Sequence, residues 1–137
     1  MEIIPLTAED TLPLRQKVLW PDRPLGALRV PGDDDAIHLG AERSGSLVGV
    51  ASFYSDGPTS ARLRKLAVDP AYQGQGLGRA LVQAGALVLR QAGCDTLWCD
   101  ARATALTFYH GLGFTIAPDS FEKSGLAYHK AHLDLRG

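Results

Sequence analysis

A glycine-rich stretch between a strand and a helix constrains this chain more than any other segment. It spans Leu66–Leu81, and Pro70 ends the strand because a proline ring has no N–H for a sheet ladder. Gly74, Gly76 and Gly78 then occupy alternate positions ahead of an apolar helical pattern. Glycines let backbone N–H groups approach a ligand, and a helix N-terminus adds unpaired N–H groups and a partial positive charge. The stretch therefore predicts an anion-binding loop, with phosphate as the anion.

Two familiar phosphate-binding loops do not fit these glycines. A nucleoside-triphosphate loop needs a lysine directly after its last glycine, and none follows here. A dinucleotide loop needs its third glycine one residue later, in an early strand–turn–helix unit. The loop does match the pattern Gln/Arg-x-x-Gly-x-Gly/Ala, as Gln73-Gly74-Gln75-Gly76-Leu77-Gly78. It resembles the coenzyme A pyrophosphate loop of the GNAT family of N-acetyltransferases; the alternative is a glycine-rich turn that binds nothing.

The bulk properties fit one soluble globular domain. The chain has 137 residues, of which 45% are apolar and 21% charged, so we expect a single domain over residues 1–137. A formal net charge of −1 gives no general attraction to nucleic acid. We find no apolar run of about 18 residues and no signal-peptide pattern, so we expect no membrane partner and a cytoplasmic location. Cys94 and Cys99 are then expected to be reduced thiols.

Periodicity and turn residues predict an α/β fold with the element order β-α-β-β-β-α-β-α-β-β. The GNAT family has the same order, and the resemblance implies a mixed, mostly antiparallel sheet that is splayed at its centre and carries helices on both faces. The first helix is predicted from near Thr11 to before Pro21, because Pro13 is tolerated best in a first turn. The next helix, Gly78–Gln91, is predicted to bury a face formed by Leu77, Leu81, Ala84 and Val88.

Two further segments carry expectations about exposure. Pro21–Asp35 contains three prolines and two glycines and is predicted to be a loop with a helical turn near Leu25–Leu28. Its run of three aspartates, 33–35, is expected to be solvated or to attract a cationic acceptor. Ala36–Arg43 alternates apolar and polar residues, as a half-buried strand does.

A second motif lies downstream at Ala105-Leu106-Thr107-Phe108-Tyr109-His110-Gly111-Leu112-Gly113-Phe114. It resembles the other GNAT signature, Ala-x-x-x-Tyr-x-x-x-Gly-Phe, and it follows the glycine loop at the family's spacing. The two motifs cover roughly Leu63–Phe114. The resemblance implies an N-acetyltransferase in which a primary amine of a small molecule or protein attacks acetyl-CoA directly. The alternatives are a non-catalytic acyl-CoA sensor and a partner-binding module on the same fold.

The resemblance also assigns the coenzyme A contacts. Backbone groups of the strand ending at Val68 would bind the pantetheine arm, and the glycine loop with Arg79 would bind the pyrophosphate. Arg102 stands where the family commonly has Asn, seven residues before the motif tyrosine, so that contact is in doubt. The predicted cofactor-binding residues are Leu66, Ala67, Val68, Gln73, Gly74, Gln75, Gly76, Leu77, Gly78, Arg79, Arg102 and Phe108.

Three residues are catalytic candidates. Tyr109 is the predicted general acid, because a phenol stays protonated at neutral pH and can donate to a departing thiolate; its alternative is a core aromatic. Asp100 is a candidate base for the incoming ammonium, or a helix N-cap. His129 is a candidate base, or a core histidine with satisfied hydrogen bonds.

No metal site is predicted, because His129 and His132 are three apart on a strand and face opposite ways. Cys99 has no histidine placed by sequence to activate it, so a buried thiol is expected. Arg62, Arg64 and Lys65 are expected to be solvated. Walls of the acceptor site are expected from residues 21–35, 53–60 and 117–126, and the acceptor's identity and a homodimer are left open.

Overall fold

The computed structural model describes residues 1–136, and its elements follow the predicted order. Seven strands form one sheet: β1 (Glu2–Leu6), β2 (Ile37–Arg43), β3 (Ser46–Ser55), β4 (Ser60–Val68), β5 (Thr96–Arg102), β6 (Thr115–Lys123) and β7 (Leu126–Asp134). Three α-helices accompany it: α1 (Ala8–Leu14), α2 (Leu77–Gln91) and α3 (Leu106–Gly111). None of the helices in this described part of the chain is long and apolar enough to cross a membrane.

The sheet opens at its centre. Its strand order is β1-β2-β3-β4-β5-β7-β6, and every neighbouring pair is antiparallel except β4 and β5. These two parallel strands pair only from Ser60 with Thr96 to Arg62 with Trp98. Beyond Arg62, the β5-facing edge of β4 has no strand partner among residues 1–136. The predicted mixed, mostly antiparallel sheet with a splayed centre is confirmed.

Helices cover both faces of the sheet because successive residues of a strand point to opposite sides. In β3, Phe53 joins Leu81 and Val82 of α2 in the larger core cluster. Val50, which faces the other way, joins Leu14 of α1 in a smaller cluster. The prediction of helices on both faces is therefore confirmed.

The first helix begins earlier than predicted. Thr7 caps it: the Thr7 hydroxyl accepts from the Asp10 N–H at 3.3 Å, and the Asp10 carboxylate accepts from the Thr7 N–H at 2.9 Å. This capping box fixes the start at Ala8 and leaves Pro13 in the helix interior. Directly after the proline the backbone widens into a π-turn, in which the Trp20 N–H reaches the Arg15 carbonyl at 3.2 Å. The predicted start near Thr11 is wrong because the cap outweighs the proline.

Burial along two other elements also differs from prediction. His38 and Gly40 of β2 are as buried as their neighbours, because the strand is covered on both faces rather than one. The buried face of α2 continues from Leu81 to Gly85 and Leu89, while Val88 is exposed. The prediction failed there because a hydrophobic pattern does not count a glycine as a core position.

The C-terminal region forms a longer hairpin than predicted. The sequence pattern predicts the last two strands at residues 114–117 and 127–135. In the structure β6 continues to Lys123 and pairs with β7, so most of 117–126 is strand. Ser124 and Gly125 connect the two strands with φ values of +53° and +77°, as a type I′ turn requires. A register shift between Ile116 and Ser120 bends β6 part way along.

Candidate active site

The gap between β4 and β5 forms a cleft of about 790 Å³. Leu66 of β4 and Phe108 and Tyr109 of α3 face each other across it, so the fold brings the two sequence motifs together. Of the other predicted site residues, Gln73, Asp100 and Arg102 also line the cleft.

The glycine loop is shaped by backbone conformation. Gly74 and Gly76 have φ values of +78° and +82°, and nothing lies within 4 Å of a Cβ added at either. Left-handed φ therefore requires these glycines, while the space beside them stays open. Gly76 caps α2, and the first N–H bonded within the helix is that of Ala80, to the Gly76 carbonyl at 3.0 Å. The N–H groups of residues 77–79 precede that bond and are available to a ligand.

Side-chain contacts hold this loop and the first turn of α2 against β4 and α3. Gln73 Nε2 donates to the Val68 carbonyl at 3.1 Å, which ties the loop to β4. A Cβ on Gly78 would lie 3.4 Å from Cζ of Phe108, so the ring packs directly over the first turn of α2. Arg79 donates to the Gly111 carbonyl at the end of α3, at 3.3 Å. The Leu77 side chain is buried in the core, so only its backbone can reach a ligand.

A β-bulge interrupts β4 beside the cleft. Arg64 pairs with Ser52, and Ala67 with Val50, so Lys65 and Leu66 together oppose a single residue of β3. Lys65 has a φ of +58°, which is uncommon outside glycine. On the opposite edge, Leu66–Val68 lie where β4 has left β5. Apart from the Val68 carbonyl, which accepts from Gln73, the outward backbone groups there have no strand partner among residues 1–136 and can bind a ligand.

Tyr109 is buried yet reaches the cleft. Its ring packs edge-to-face against Phe108 and Phe114, with centroids 5.0 and 5.3 Å away. Burial and the neighbouring Cys99 thiol raise the pKa of the Tyr109 phenol well above its ordinary value. Burial likewise raises the pKa of Cys99 to about 12, so this cysteine is the protonated, buried thiol that the sequence predicted. The phenol therefore keeps its proton across the working range of pH.

Asp100 is the centre of a cationic cluster. Its carboxylate pairs with Arg62 at 2.9 Å, Lys123 at 3.1 Å and Lys130 at 2.7 Å. Burial acts to raise the pKa of Asp100, but the hydrogen bonds from Lys130 and Lys123 outweigh it and lower the pKa. A carboxylate shared by three cations is a poor base. The N-cap alternative is wrong, because the following helical turn has Arg102 at its N-cap and no side-chain cap bond.

His129 lies away from the cleft. It pairs with Ala101 in the sheet, and its Nδ1 donates to the Ala117 carbonyl at 2.8 Å. It is half-buried and does not line the cleft. The geometry therefore matches the satisfied histidine and gives no support to His129 as a base.

In the aspartate run, Asp34 and Asp35 are exposed as predicted, but Asp33 is buried. Arg15 of the π-turn donates to both Asp33 oxygens, at 2.8 and 3.1 Å. The Tyr54 hydroxyl donates to the same carboxylate, while Arg15 also donates to Ser52 Oγ at 3.0 Å. Burial opposes ionisation, but the Arg15 and Tyr54 hydrogen bonds hold the pKa of Asp33 well below its usual range. This cluster fastens the 21–35 segment to the sheet.

One wall of the site was not predicted from the sequence. The cleft extends past the bulge to Leu19 and Trp20, and both Arg64 and Lys65 line it. The two cations were expected to be solvated, but they are half-buried. No local sequence pattern predicts the β-bulge, and it is the bulge that lets both Arg64 and Lys65 line the cleft. Within residues 1–136, no three His, Cys, Asp or Glu side chains converge as they would around a metal ion.

Comparisons with known proteins agree with this arrangement. A family model described as the acetyltransferase (GNAT) family matches residues 6–114. The chain is 26% identical to YitI of Bacillus subtilis, described as an uncharacterized N-acetyltransferase, with 94% of this chain and 92% of YitI covered. It is 33% identical to the histone acetyltransferase TAP1 of Glycine max over 90% of this chain, but it spans only 57% of TAP1. A 60-residue stretch is 47% identical to the [ribosomal protein bS18]-alanine N-acetyltransferase of Escherichia coli K12, covering 42% of this chain and 40% of that protein.

Solved structures share the fold. An aminoglycoside 6′-N-acetyltransferase complexed with coenzyme A superposes with a TM-score of 0.84 at 16% identity, covering 100% of this chain and 98% of that one. The ribosomal-protein-S18-alanine N-acetyltransferase of Escherichia coli gives 0.77 at 24% identity, covering 98% and 93%. Since the family model covers well over half of the sequence, the chain belongs to the GNAT family of acetyltransferases, which are N-acyltransferase enzymes.

Proposed function

We propose that this protein uses acetyl-CoA to acetylate a primary amine by direct attack. The observation that carries the proposal is the cleft itself, because its lining includes both Gln73, the first residue of the glycine loop, and Tyr109, a buried phenol that stays protonated. A binding module needs only the loop. The phenol at the cleft favours the enzyme over a non-catalytic acyl-CoA sensor.

The residues present fit coenzyme A. Left-handed Gly74 and Gly76 leave open space beside the N–H groups of residues 77–79, which suits a pyrophosphate. The unpaired edge of β4 at Leu66, Ala67 and Val68 suits the amides of an extended pantetheine arm. Arg79 has further donors beyond its bond to the Gly111 carbonyl, and exposed Arg102 lies at the cleft. Phe108 closes the wall between loop and cleft.

The chemical role that we assign to this chain's side chains is the donation of one proton, from Tyr109. Bound acetyl-CoA supplies an acetyl thioester, whose carbonyl carbon bonds to the amine nitrogen as its bond to sulfur breaks. Tyr109 Oη holds the proton that the departing sulfur needs, and its raised pKa keeps that proton in place until then. We assign no side chain as the base, because Asp100 is saturated by cations and His129 lies outside the cleft. The acceptor attacks as a neutral amine, and the proton that its nitrogen loses on acylation passes through solvent and restores the Tyr109 phenol.

A paired experiment tests the proposal. Thermal unfolding is followed with and without acetyl-CoA, and acetyl transfer is then measured in single turnovers with a panel of amines. Ligand at about 100 times its dissociation constant adds about 2.7 kcal/mol of stability. We expect Tyr109→Phe to keep that stabilisation and to slow transfer, while Tyr128→Phe, the other tyrosine lining the cleft, changes neither. No stabilisation by acetyl-CoA, or an unchanged rate in Tyr109→Phe, would contradict the proposal.

A further inference from the structure

A second pocket opens off the cleft between the π-turn, the 21–35 segment and the bulge in β4. It has a volume of about 190 Å³ and shares Leu19, Trp20, Arg64 and Lys65 with the cleft lining. Its walls include five cationic side chains and no carboxylate, although the whole chain carries a net charge of −1. The five cations are Arg15, Arg23, Arg29, Arg64 and Lys65.

Two of the five cations are already neutralised. Arg15 pairs with buried Asp33, and Arg29 bridges Glu9 and Asp34. Those carboxylates lie outside the pocket lining. The remaining three, Arg23, Arg64 and Lys65, make no ion pair with any residue in 1–136.

The unpaired cations are held in place by aromatic rings. Arg23 and Lys65 both lie over Trp20, 5.0 and 4.6 Å from its ring centroid, and Arg64 lies 5.8 Å from that of Tyr54. Aromatic faces position a cation while leaving its hydrogen-bond donors free for a ligand. Burial and the neighbouring cations lower the pKa of Lys65 to about 8, and such mutual repulsion is relieved by an anion.

Binding of the acyl donor, acetyl-CoA, does not account for the positive charge of this pocket. No residue of the glycine loop, 73–79, lines the pocket, so its cations are not those assigned to the pyrophosphate. The pocket instead adjoins the part of the cleft lined by the bulge residues Lys65 and Leu66. We expect the acceptor to meet the acyl group there. At about 190 Å³ it is smaller than pockets for drug-sized ligands, so it suits a molecule of amino-acid size.

We propose that the acceptor is a small amine carrying an oxyanion, a carboxylate or a phosphate, which Arg23, Arg64 and Lys65 bind in this pocket. The inference rests on the proposed acetyltransferase function and specifies its substrate class. A fork-shaped guanidinium matches both oxyanions, so Arg64 is the residue on which selectivity should depend most.

The test uses matched acceptors that share an amine and differ in one charge. The pairs are L-alanine with L-alaninamide, L-aspartate with L-asparagine, and phosphoethanolamine with ethanolamine. We expect the member with the additional negative charge in at least one pair to have a kcat/KM about tenfold higher or more. Which pair responds distinguishes a carboxylate from a phosphate. Arg64→Gln should abolish that ratio, while Arg90→Gln, on the exposed end of α2, should leave it unchanged.

Three outcomes would overturn the proposal. The members that lack the additional negative charge, or a peptide amine without acidic residues, could react as well as the members that carry it. Arg64→Gln could weaken acetyl-CoA binding and leave the acceptor ratio alone, which would assign the cations to the donor. Succinyl-CoA could be preferred over butyryl-CoA by the same factor, which would place the anion on the acyl group.

A binding measurement separates this proposal from the proposed function. The chain has two tryptophans, so Trp98→Phe leaves Trp20 as the only reporter. Inorganic phosphate, titrated at constant ionic strength, should change Trp20 fluorescence saturably, and Arg64→Gln in the same background should remove the response. A saturable fluorescence response without acetyl transfer to any amine would contradict the proposed acetyltransferase activity but support the anion site. Acetyl transfer without a fluorescence response would contradict the anion site alone.

Discussion

Gly85 of α2 lies against the ring of Phe53 in β3 with no room for a side chain. A Cβ at this position would be 2.0 Å from Cζ of Phe53, and 2.5 Å from each Cε. Phe53 is itself 1% exposed and surrounded by the main core, so the ring has nowhere to move.

Gly85→Ala should therefore destabilise the protein by about 1–3 kcal/mol, because overpacking outweighs the better helix propensity of alanine. Urea unfolding measures the change. Gly111→Ala in α3 is the matched control, since nothing lies within 4 Å of its added Cβ. It should be neutral or stabilising by up to about 1 kcal/mol. Equal effects of the two substitutions would contradict the close packing of Gly85.

Asp33→Asn should cost about 3–5 kcal/mol at pH 7, because it leaves the Arg15 guanidinium buried without its counter-charge. The folded pKa of Asp33 is lowered, so its contribution is present above the unfolded value of 3.8 and is lost as pH falls below it. The wild type should therefore lose stability between about pH 4 and 2 more steeply than the variant. Unfolding free energies measured across this range check the prediction.

Asp34→Asn is the control for that experiment. Its carboxylate also pairs with an arginine, Arg29, but it is exposed. Surface pairs contribute about 0–1 kcal/mol, so the control should be close to wild type at every pH. If the two variants are equally stable, Asp33 is not the buried anchor described here.

Gly76→Val should weaken acetyl-CoA binding by about tenfold or more, because a β-branched residue disfavours the left-handed φ of +82° that shapes the loop. Gly93→Val is matched in strain, with a φ of +94° and no neighbour within 4 Å, at the other end of α2. Both variants should be destabilised by a similar free energy of unfolding. Titration calorimetry should find a lowered affinity for acetyl-CoA only in Gly76→Val. Retained affinity there would remove the loop from the donor site.

Lys65 should react with acetic anhydride at neutral pH faster than the other lysines. Its pKa of about 8 lies below the ordinary value of about 10.4, so more of its amine is neutral at a given pH. The pH dependence of labelling, followed by peptide mass spectrometry, should have a midpoint near 8. The cations Arg64, Arg15, Lys123 and Arg23 contribute to this shift, and Arg64→Gln should move the midpoint upward. A midpoint near 10 in the wild type would contradict the crowded pocket.

Local signals in the sequence were sufficient for the fold. Strand periodicity, the glycine loop and the Tyr109 motif each occupy a short run of residues. Periodicity predicts the element order, and the resemblance of the two motifs to the GNAT family implies the splayed sheet. The capping box at Thr7 was also a local signal, but the rule for Pro13 was given more weight. Cap hydrogen bonds satisfy real donors, whereas a proline near a helix end needs only a widened turn.

The acceptor side was beyond sequence reasoning for a different physical reason. Arg15 and Asp33 are 18 positions apart, and neither residue type predicts burial until both are placed together. The bulge at Lys65 reverses the alternation that assigns side chains to faces, so Arg64 and Lys65 could not be assigned to one pocket. Gly85 was missed because its role is the absence of a side chain.

The Arg15–Asp33 pair has a consequence for exchanging acceptor specificity between relatives. The 21–35 segment forms part of the cationic pocket, but it is fastened through Asp33 to Arg15 of the π-turn and to Tyr54 of the sheet. Arg15 in turn donates to Ser52 and Tyr54 of the sheet. His38 completes the attachment, since its Nε2 donates to the Asp33 carbonyl at 2.8 Å. If this segment were grafted onto another scaffold, its buried hydrogen-bond partners would therefore have to be transferred with it. The wall of the cationic pocket is inherited together with the core beneath it.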